Sequence, residues 1–241
     1  MRDAIVIIPT YNELENIEDV IRAVFSQDKA FDILVVDDNS PDSTASRVKQ
    51  LQKEFSKQLF LEVRKEKFGL GTAYIHGFKW CLDKGYQYIF EMDADFSHNP
   101  NDLIRLYDQC HLNGSDVAIG SRYIKGVNVV NWPLSRVILS YLASIYVRLI
   151  TGMSIRDTTA GFICYKREVL ENLNLNQIKF VGYAFQIEMK FKAYLRAYKM
   201  VEVPVIFTDR TKGESKLSSG IISEAIFGVI KMKLKSLFLK H

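Results

Sequence analysis

Cysteine is scarce in this chain: among 241 residues there are three, Cys81, Cys110 and Cys164. None belongs to a C-x-x-C pair, and an odd, scattered set argues against a disulfide framework. A reducing compartment is the simpler expectation. The chain has no leader pattern; it enters an apolar strand at once, so no signal peptide is expected. It also lacks the roughly 20 apolar residues that a spanning helix requires. The longest apolar stretch, from Val137 to Ile150, is interrupted by Arg148. These absences predict a cytoplasmic protein, soluble or peripheral on the cytoplasmic face of a membrane. A large charge excess is missing too: the net charge is +4, which gives no reason to expect nucleic acid. The histidines at positions 76, 98, 111 and 241 show no metal spacing such as H-x-x-x-H, and no Ser-His-Asp arrangement is suggested. Repeats and low-complexity tracts are absent.

The composition that remains, 48% hydrophobic and 25% charged, is that of an ordinary globular chain. Its first 120 residues alternate in period. Ala4–Ile8 and Ile33–Val36 are continuous apolar runs, as expected of strands buried on both faces. Leu59–Val63, Tyr86–Met92 and Val117–Gly120 read as further strands. Helices are expected over Glu13–Ser26, capped by Asn12; from Ser40-Pro41 to about Phe55; and over Gly71–Leu82 and Pro100–Asn113. This order predicts an α/β fold, a mostly parallel Rossmann-like sheet with helices on both faces. Beyond it the pattern predicts a loop over Arg122–Pro133 and a long apolar helix over Leu134–Thr151. A strand (Gly161–Tyr165), a helix (Val181–Arg196) and a strand (Val201–Phe207) follow. The economical partition is a catalytic domain, 1–210, followed at 211–241 by a mobile basic loop and a C-terminal amphipathic helix, Ile221–Leu239.

Ligands of open parallel sheets sit outside the carboxyl ends of the strands. Those ends present Pro9–Glu13, Asp37–Ser40, Gly69–Ala73, Asp93-Ala94-Asp95 and Gly120–Tyr123. Asp93 and Asp95, at i and i+2, can point the same way and would repel unless a cation lay between them. Mg²⁺ or Mn²⁺ suits two carboxylates plus substrate phosphates. The competing reading is a solvated turn, or a cap for the helix after Pro100. Asp37-Asp38 is either a turn with a cap or an acceptor for a ribose hydroxyl or base N–H. Tyr11 either stacks on a base or packs. Gly69-x-Gly71 lacks the third glycine of a dinucleotide fingerprint and reads as a tight turn; with Pro9–Glu13 in place of a glycine-rich first turn, a Rossmann dehydrogenase is excluded. Arg210 and Lys216 place basic groups in a glycine-containing loop that can close over a diphosphate or simply be solvated. His98 either lines the site or lies at the surface.

Taken together, Pro9–Glu13, Val36–Asp42, Gly69–Gly77, Met92–His98, Gly120–Tyr123 and Arg210–Leu217 resemble glycosyltransferase family 2 over nearly the whole chain, within it the polyprenyl-phosphate branch. The resemblance implies a GT-A fold and transfer of mannose from GDP-mannose to a polyprenyl monophosphate in a membrane. It implies that Pro9, Tyr11, Glu13, Val36 and Asp38 hold the guanosine. Asp93, Ala94 and Asp95 would hold metal and diphosphate, and Arg122, Arg210 and Lys216 the phosphates of donor or acceptor. Asp95 and Arg122 are then the residues closest to the chemistry. Some relatives carry a glutamine as a further metal ligand where this chain has Ser97. A phosphate acceptor is already dianionic near neutral pH and needs no strong base, so direct displacement with inversion is expected. UDP-glucose as donor, and a non-catalytic nucleotide-sugar-binding subunit, are the alternatives. The final helix combines an apolar stripe (Ile222, Ile226, Val229, Ile230, Leu234, Leu237) with Lys231, Lys233, Lys235 and Lys240. That suits either an anionic membrane surface or packing on the domain with snorkelling lysines. A membrane-anchoring partner protein is a further expectation.

Overall fold

The structure is a computed structural model; it describes residues 2–182, 184–210 and 220–238. The elements run β1 (Ala4–Thr10), α1 (Ile17–Phe25), β2 (Asp32–Asp37), α2 (Thr44–Glu54), β3 (Leu59–Val63), α3 (Leu70–Asp83), β4 (Tyr88–Glu91), α4 (Asp102–His111) and β5 (Val117–Ser121). They continue with β6 (Val129–Val130), α5 (Leu134–Thr151), β7 (Ile163–Lys166), α6 (Arg167–Asn172), α7 (Ala184–Leu195), β8 (Met200–Pro204), β9 (Phe207–Thr208) and α8 (Gly220–Phe238). The main sheet has the order β3-β2-β1-β4-β7-β5-β8, with β6 and β9 paired separately. All pairs are parallel except those of β7, which runs against both β4 and β5.

Alternate residues of the strands feed two cores, as a period of two requires. Val6, Ile8, Ile33, Val35 and Phe90 meet α1, α2 and α4 on one face. Ile5, Ile7, Leu34, Ile89 and Tyr165 meet α3, α6 and α7 on the other. A third, smaller cluster joins Val147 of α5, Ile187 and Phe191 of α7, and Val229 of α8.

Two helices start later than the sequence predicts, for one reason. The backbone N–H groups of Asn12, Glu13 and Leu14 donate to Ser40 Oγ, Thr44 Oγ1 and Asp42 Oδ2. Asp42 Oδ1 also accepts from Thr44 N and Thr44 Oγ1. The segments after β1 and β2 are thus tied to each other as turns before either winds into helix. The sequence pattern foresees a strand at Gly161–Tyr165 but not the antiparallel direction of β7, and it does not foresee the short α6. Nor does it foresee β6 inside the expected loop.

α5 follows its predicted bounds, and its composition makes it a candidate membrane span by length and mean hydropathy (1.3), which qualifies the expectation that it is too short and polar. It buries Ser144, Val147 and Thr151 against the domain but leaves Leu134, Ile138, Leu139, Leu142 and Leu149 exposed. In α8 the stripe divides: Val229 is buried, whereas Phe227, Ile230, Leu234 and Leu237 are exposed. Lys233 Nζ donates to Thr151 O at the end of α5. The side chains of Ile222 and Ile226, and Lys240, lie outside the described residues.

Gly71 opens α3 where a side chain has no room. An added Cβ would stand 2.8 Å from both Phe180 O and Phe185 Cγ, and its N–H donates to Val181 O. The glycine thus serves close packing and not phosphate cradling. Gly71→Ala is expected to cost about 1–3 kcal/mol by overpacking, lowering the melting temperature by roughly 2–4 °C per kcal/mol. A thermal melt that matches wild type would disprove this account.

Candidate active site

The strand order reverses between β1 and β4, so the crevice outside their carboxyl ends is the expected ligand position. At the end of β1, Thr10 and Glu13 are buried and Tyr11 is half-buried. Glu13 Oε2 accepts from Asn16 Nδ2 at 3.0 Å. Lys67 Nζ stands 4.5 Å from the Tyr11 ring centroid, a cation–π distance.

At the end of β2 the two acids separate. Asp37 is fully buried and accepts from Thr10 Oγ1, Ser40 N and Ser40 Oγ, so it builds the turn. Asp38 is paired through Oδ1 with Arg64 at 2.5 Å. Arg64 also donates to Thr72 Oγ1 at 2.7 Å, joining the β2 and β3 ends to α3. Burial pushes the Asp38 carboxyl up, and Arg64 offsets part of that.

At the end of β4, Ala94 and Asp95 are buried and the Asp93 side chain is 37% exposed. Ser97 N donates to Asp95 Oδ1 at 3.0 Å. Phe96, in left-handed backbone at φ 59°, turns the chain back, so that His98 Nδ1 accepts from Asp93 N at 3.1 Å. Arg210 Nη2 lies 2.7 Å from Asp95 Oδ2, and Arg210 Nη1 lies 3.9 Å from Glu13 Oε1. Burial, then the neighbouring Asp95, raises the Asp93 carboxyl to about 7.

Behind this pair, Glu91 is fully buried and accepts from Gln186 Nε2. Lys190, also fully buried, donates to Ala160 O at 2.6 Å. Across the rim, Arg122 is clasped by Asp157: Nε donates to Oδ2 at 2.7 Å and Nη2 to Oδ1 at 2.6 Å. Nη2 also reaches Thr159 Oγ1 at 2.8 Å. Three rings, of Tyr123, Trp132 and Phe207, lie 5.2–5.6 Å from the guanidinium carbon. Burial alone would raise Asp157, but Arg122 holds it below the usual carboxylate range.

Pro9, Tyr11, Glu13, Val36, Asp38, Asp93, Ala94, Asp95, Arg122 and Arg210 therefore all lie at the carboxyl ends of β1, β2, β4 and β5 or, for Arg210, against β4. Lys216 lies outside the described residues, as does the rest of the basic loop expected to be mobile. The sequence reading missed Arg64, Glu91, Asp157, Gln186 and Lys190. Asp157-Thr-Thr-Ala-Gly just before a strand was the available signal for one of them.

The acids suit a hard divalent cation, and the Arg210 guanidinium shows that positive charge is accommodated beside Asp95. Among the described residues no group of three or more His, Cys, Asp and Glu could hold a metal. Asp93 and Asp95 would thus share it with substrate oxygens, as magnesium sites commonly do.

The raised Asp93 fixes a sign. Between about pH 4 and 7 the folded, metal-free protein binds more protons than the unfolded chain, so this group lowers stability as pH rises through that window. Asp93→Asn removes the penalty. In metal-free buffer its melting temperature is expected to exceed wild type at pH 8 and to converge with it near pH 4. Equal or lower stability at pH 8 would contradict the assignment.

The family model described as Glycosyl transferase family 2 matches residues 5–173. The chain is 44% identical over 231 residues to the polyprenol monophosphomannose synthase of Mycolicibacterium smegmatis, covering 96% of this chain and 87% of that one. It is 41% identical to the undecaprenyl-phosphate mannosyltransferase of Micrococcus luteus, covering 95% and 93%. Among solved structures, glucosyl-3-phosphoglycerate synthase from Mycobacterium tuberculosis with Mn²⁺ and UDP superimposes at a TM-score of 0.69 and 16% identity, covering 100% of this chain and 81% of that one. The mannosyltransferase from Pyrobaculum calidifontis with GDP-Man and Mn²⁺ gives 0.62 and 17%, covering 99% and 65%. These two share the fold, which is the GT-A-like one expected. With the family model covering most of its length and curated relatives above 40% identity, the chain belongs to glycosyl transferase family 2.

Proposed function

We propose that this protein transfers mannose from GDP-mannose to a polyprenyl monophosphate at a membrane surface, with inversion at the sugar carbon. The observation that carries the reading is the convergence on one rim of the two acids at the end of β4 and two arginines from other segments, each held by a carboxylate. Asp95 meets Arg210 at 2.7 Å, and Arg122 is fixed across the rim by Asp157. Relatives named for mannose transfer to polyprenyl phosphates support the acceptor and sugar. A fold neighbour with GDP-Man and Mn²⁺ supports the donor and the ion.

Asp93 and Asp95 would hold Mg²⁺ or Mn²⁺. When bound, the ion neutralises charge developing on the leaving diphosphate. Pro9, Tyr11, Glu13, Val36 and Asp38 form the nucleoside side. Arg122, held in one orientation by a buried carboxylate, and Arg210 and Lys216 carry the positive charge for phosphates of donor or acceptor. The acceptor phosphate, with a second pKa of about 6, is mostly dianionic at neutral pH. The protein therefore needs to position it and offset its charge, with no carboxylate required as base. The exposed leucines of α5 and α8, beside Lys231, Lys233 and Lys235, form the face turned to the lipid. The basic loop and α8 then work as a membrane-side extension of the domain spanning 1–210, where a membrane-anchoring partner could also dock.

The test is a donor screen with a short polyprenyl phosphate. GDP-mannose with Mg²⁺ should yield β-linked mannosyl lipid, chelation should abolish it, and Asp95→Asn should lower kcat at least about 100-fold. Turnover of UDP-glucose instead would reassign the donor. Binding without turnover would favour a non-catalytic subunit, and an α-linked product would refute inversion. For the membrane face, burying a leucine contributes about 1.5–3 kcal/mol. Leu234→Ser with Leu237→Ser should therefore weaken co-sedimentation with anionic liposomes by more than about tenfold; unchanged binding would refute the docking face.

A further inference from the structure

His98 is not accounted for by the roles above, yet it is among the most tightly specified side chains of the site. It is 4% exposed. Its ring stacks on Phe162 at 4.8 Å and 10° and meets the Phe207 ring edge-on at 5.5 Å. The ring therefore cannot swing out to solvent without dismantling an aromatic sandwich.

The hydrogen bond it makes decides its protonation. His98 Nδ1 accepts from the backbone N–H of Asp93 at 3.1 Å. A ring nitrogen that accepts an N–H carries no proton, so the imidazole is neutral and its proton sits on Nε2. That Nε2–H finds no hydrogen-bonding partner among the described residues. Asp93 Oδ2 is 3.9 Å away, beyond hydrogen-bond length. Nε2 thus stands beside the Asp93 carboxylate, which is itself 37% exposed.

A donor of this kind is preorganised. It is held by stacking on one side and by a backbone bond on the other, and it brings no full charge into the site. We propose that His98 is a neutral hydrogen-bond donor to the diphosphate of the bound nucleotide sugar, its Nε2–H contacting an oxygen of the leaving group held at Asp93. This rests on the donor-diphosphate reading above. In that role Nδ1 fixes the chain at Asp93, while Nε2 stabilises charge as the glycosidic bond breaks. The two nitrogens therefore have separable duties. Asparagine can replace Nδ1 as acceptor but does not reach the Nε2 position. Glutamine places an N–H near Nε2 but forgoes the acceptor at Nδ1.

The experiment uses the full chain, with GDP and UDP, each with Mg²⁺, as probes. Long-range ¹H–¹⁵N spectra at pH 7.5 should show His98, identified by its loss in His98→Asn, as the neutral Nε2–H tautomer. Its Nε2 resonance should shift when a nucleoside diphosphate and Mg²⁺ bind. His98→Asn and His98→Gln should lower the melting temperature to a similar extent, but His98→Asn should lower kcat about 100–1000-fold, the range expected for one lost preorganised donor, and weaken diphosphate binding. The KM for the lipid acceptor should hardly change, and His98→Gln should recover a large part of kcat. An imidazolium or an Nδ1–H tautomer would overturn the inference. So would equal losses in both variants that track a lowered melting temperature, which would mark a purely structural ring. Nucleotide binding without a response at His98 overturns this inference alone, whereas a wild-type protein that binds neither nucleotide overturns the donor reading with it.

Discussion

Buried carboxylates at the carboxyl ends of the strands must be offset by hydrogen-bond donors close by or by cations brought from elsewhere in the chain, and the architecture of the site follows from that requirement. A charge removed from water costs several kcal/mol unless it is paired and hydrogen-bonded. Asp38 meets Arg64 from beyond β3, Asp157 meets Arg122 from beyond β5, and Asp95 meets Arg210 from beyond β9. Each pair ties together segments distant in sequence. Among the described residues Glu91 has the Gln186 amide as its hydrogen-bonding partner, with the Lys190 ammonium nearby, and burial raises its carboxyl to about 8 while lowering Lys190 to about 8. Asp93 has no guanidinium bonded to it among the described residues.

This pattern explains what the sequence makes legible. Asp93 and Asp95 stand out because an apolar run ends on them with a spacing of two, a local signal. Arg210 is legible because a basic, glycine-containing segment contrasts with its surroundings. Partner choice is not local: nothing in the spacing of Arg122 and Asp157 announces a bidentate bond across 35 positions. The direction of β7 is hidden for the same reason. A four-residue apolar strand reads identically whether it runs with or against its neighbours, and only its pairing with β4 and β5 decides. His98 left both readings open in sequence, and its burial against Phe162 and Phe207 excludes the surface one.

The two apolar helices α5 and α8 obey a different rule. α5 and α8 are anchored by a few small or β-branched residues, Ser144, Val147, Thr151 and Val229, and present their leucines outward. Larger anchors would draw the helices deeper into the domain and remove that apolar surface. α7 belongs to both environments. Gln186 and Lys190 point beneath the acids of β4, while Ile187 and Phe191 pack against Val229.

The reversed strand β7 also sets a length. By standing between β4 and β5 it separates their carboxyl ends by two strand widths, about 9.5 Å. Its own start lies in that gap, so Asp157–Gly161 floors the space between Asp93 and Arg122. A ligand lying across the rim from β4 to β5 therefore passes over the segment that leads into β7. A parallel strand in the same slot would have placed its outgoing connection in the gap and left Asp157–Gly161, with the partner of Arg122, at the far rim.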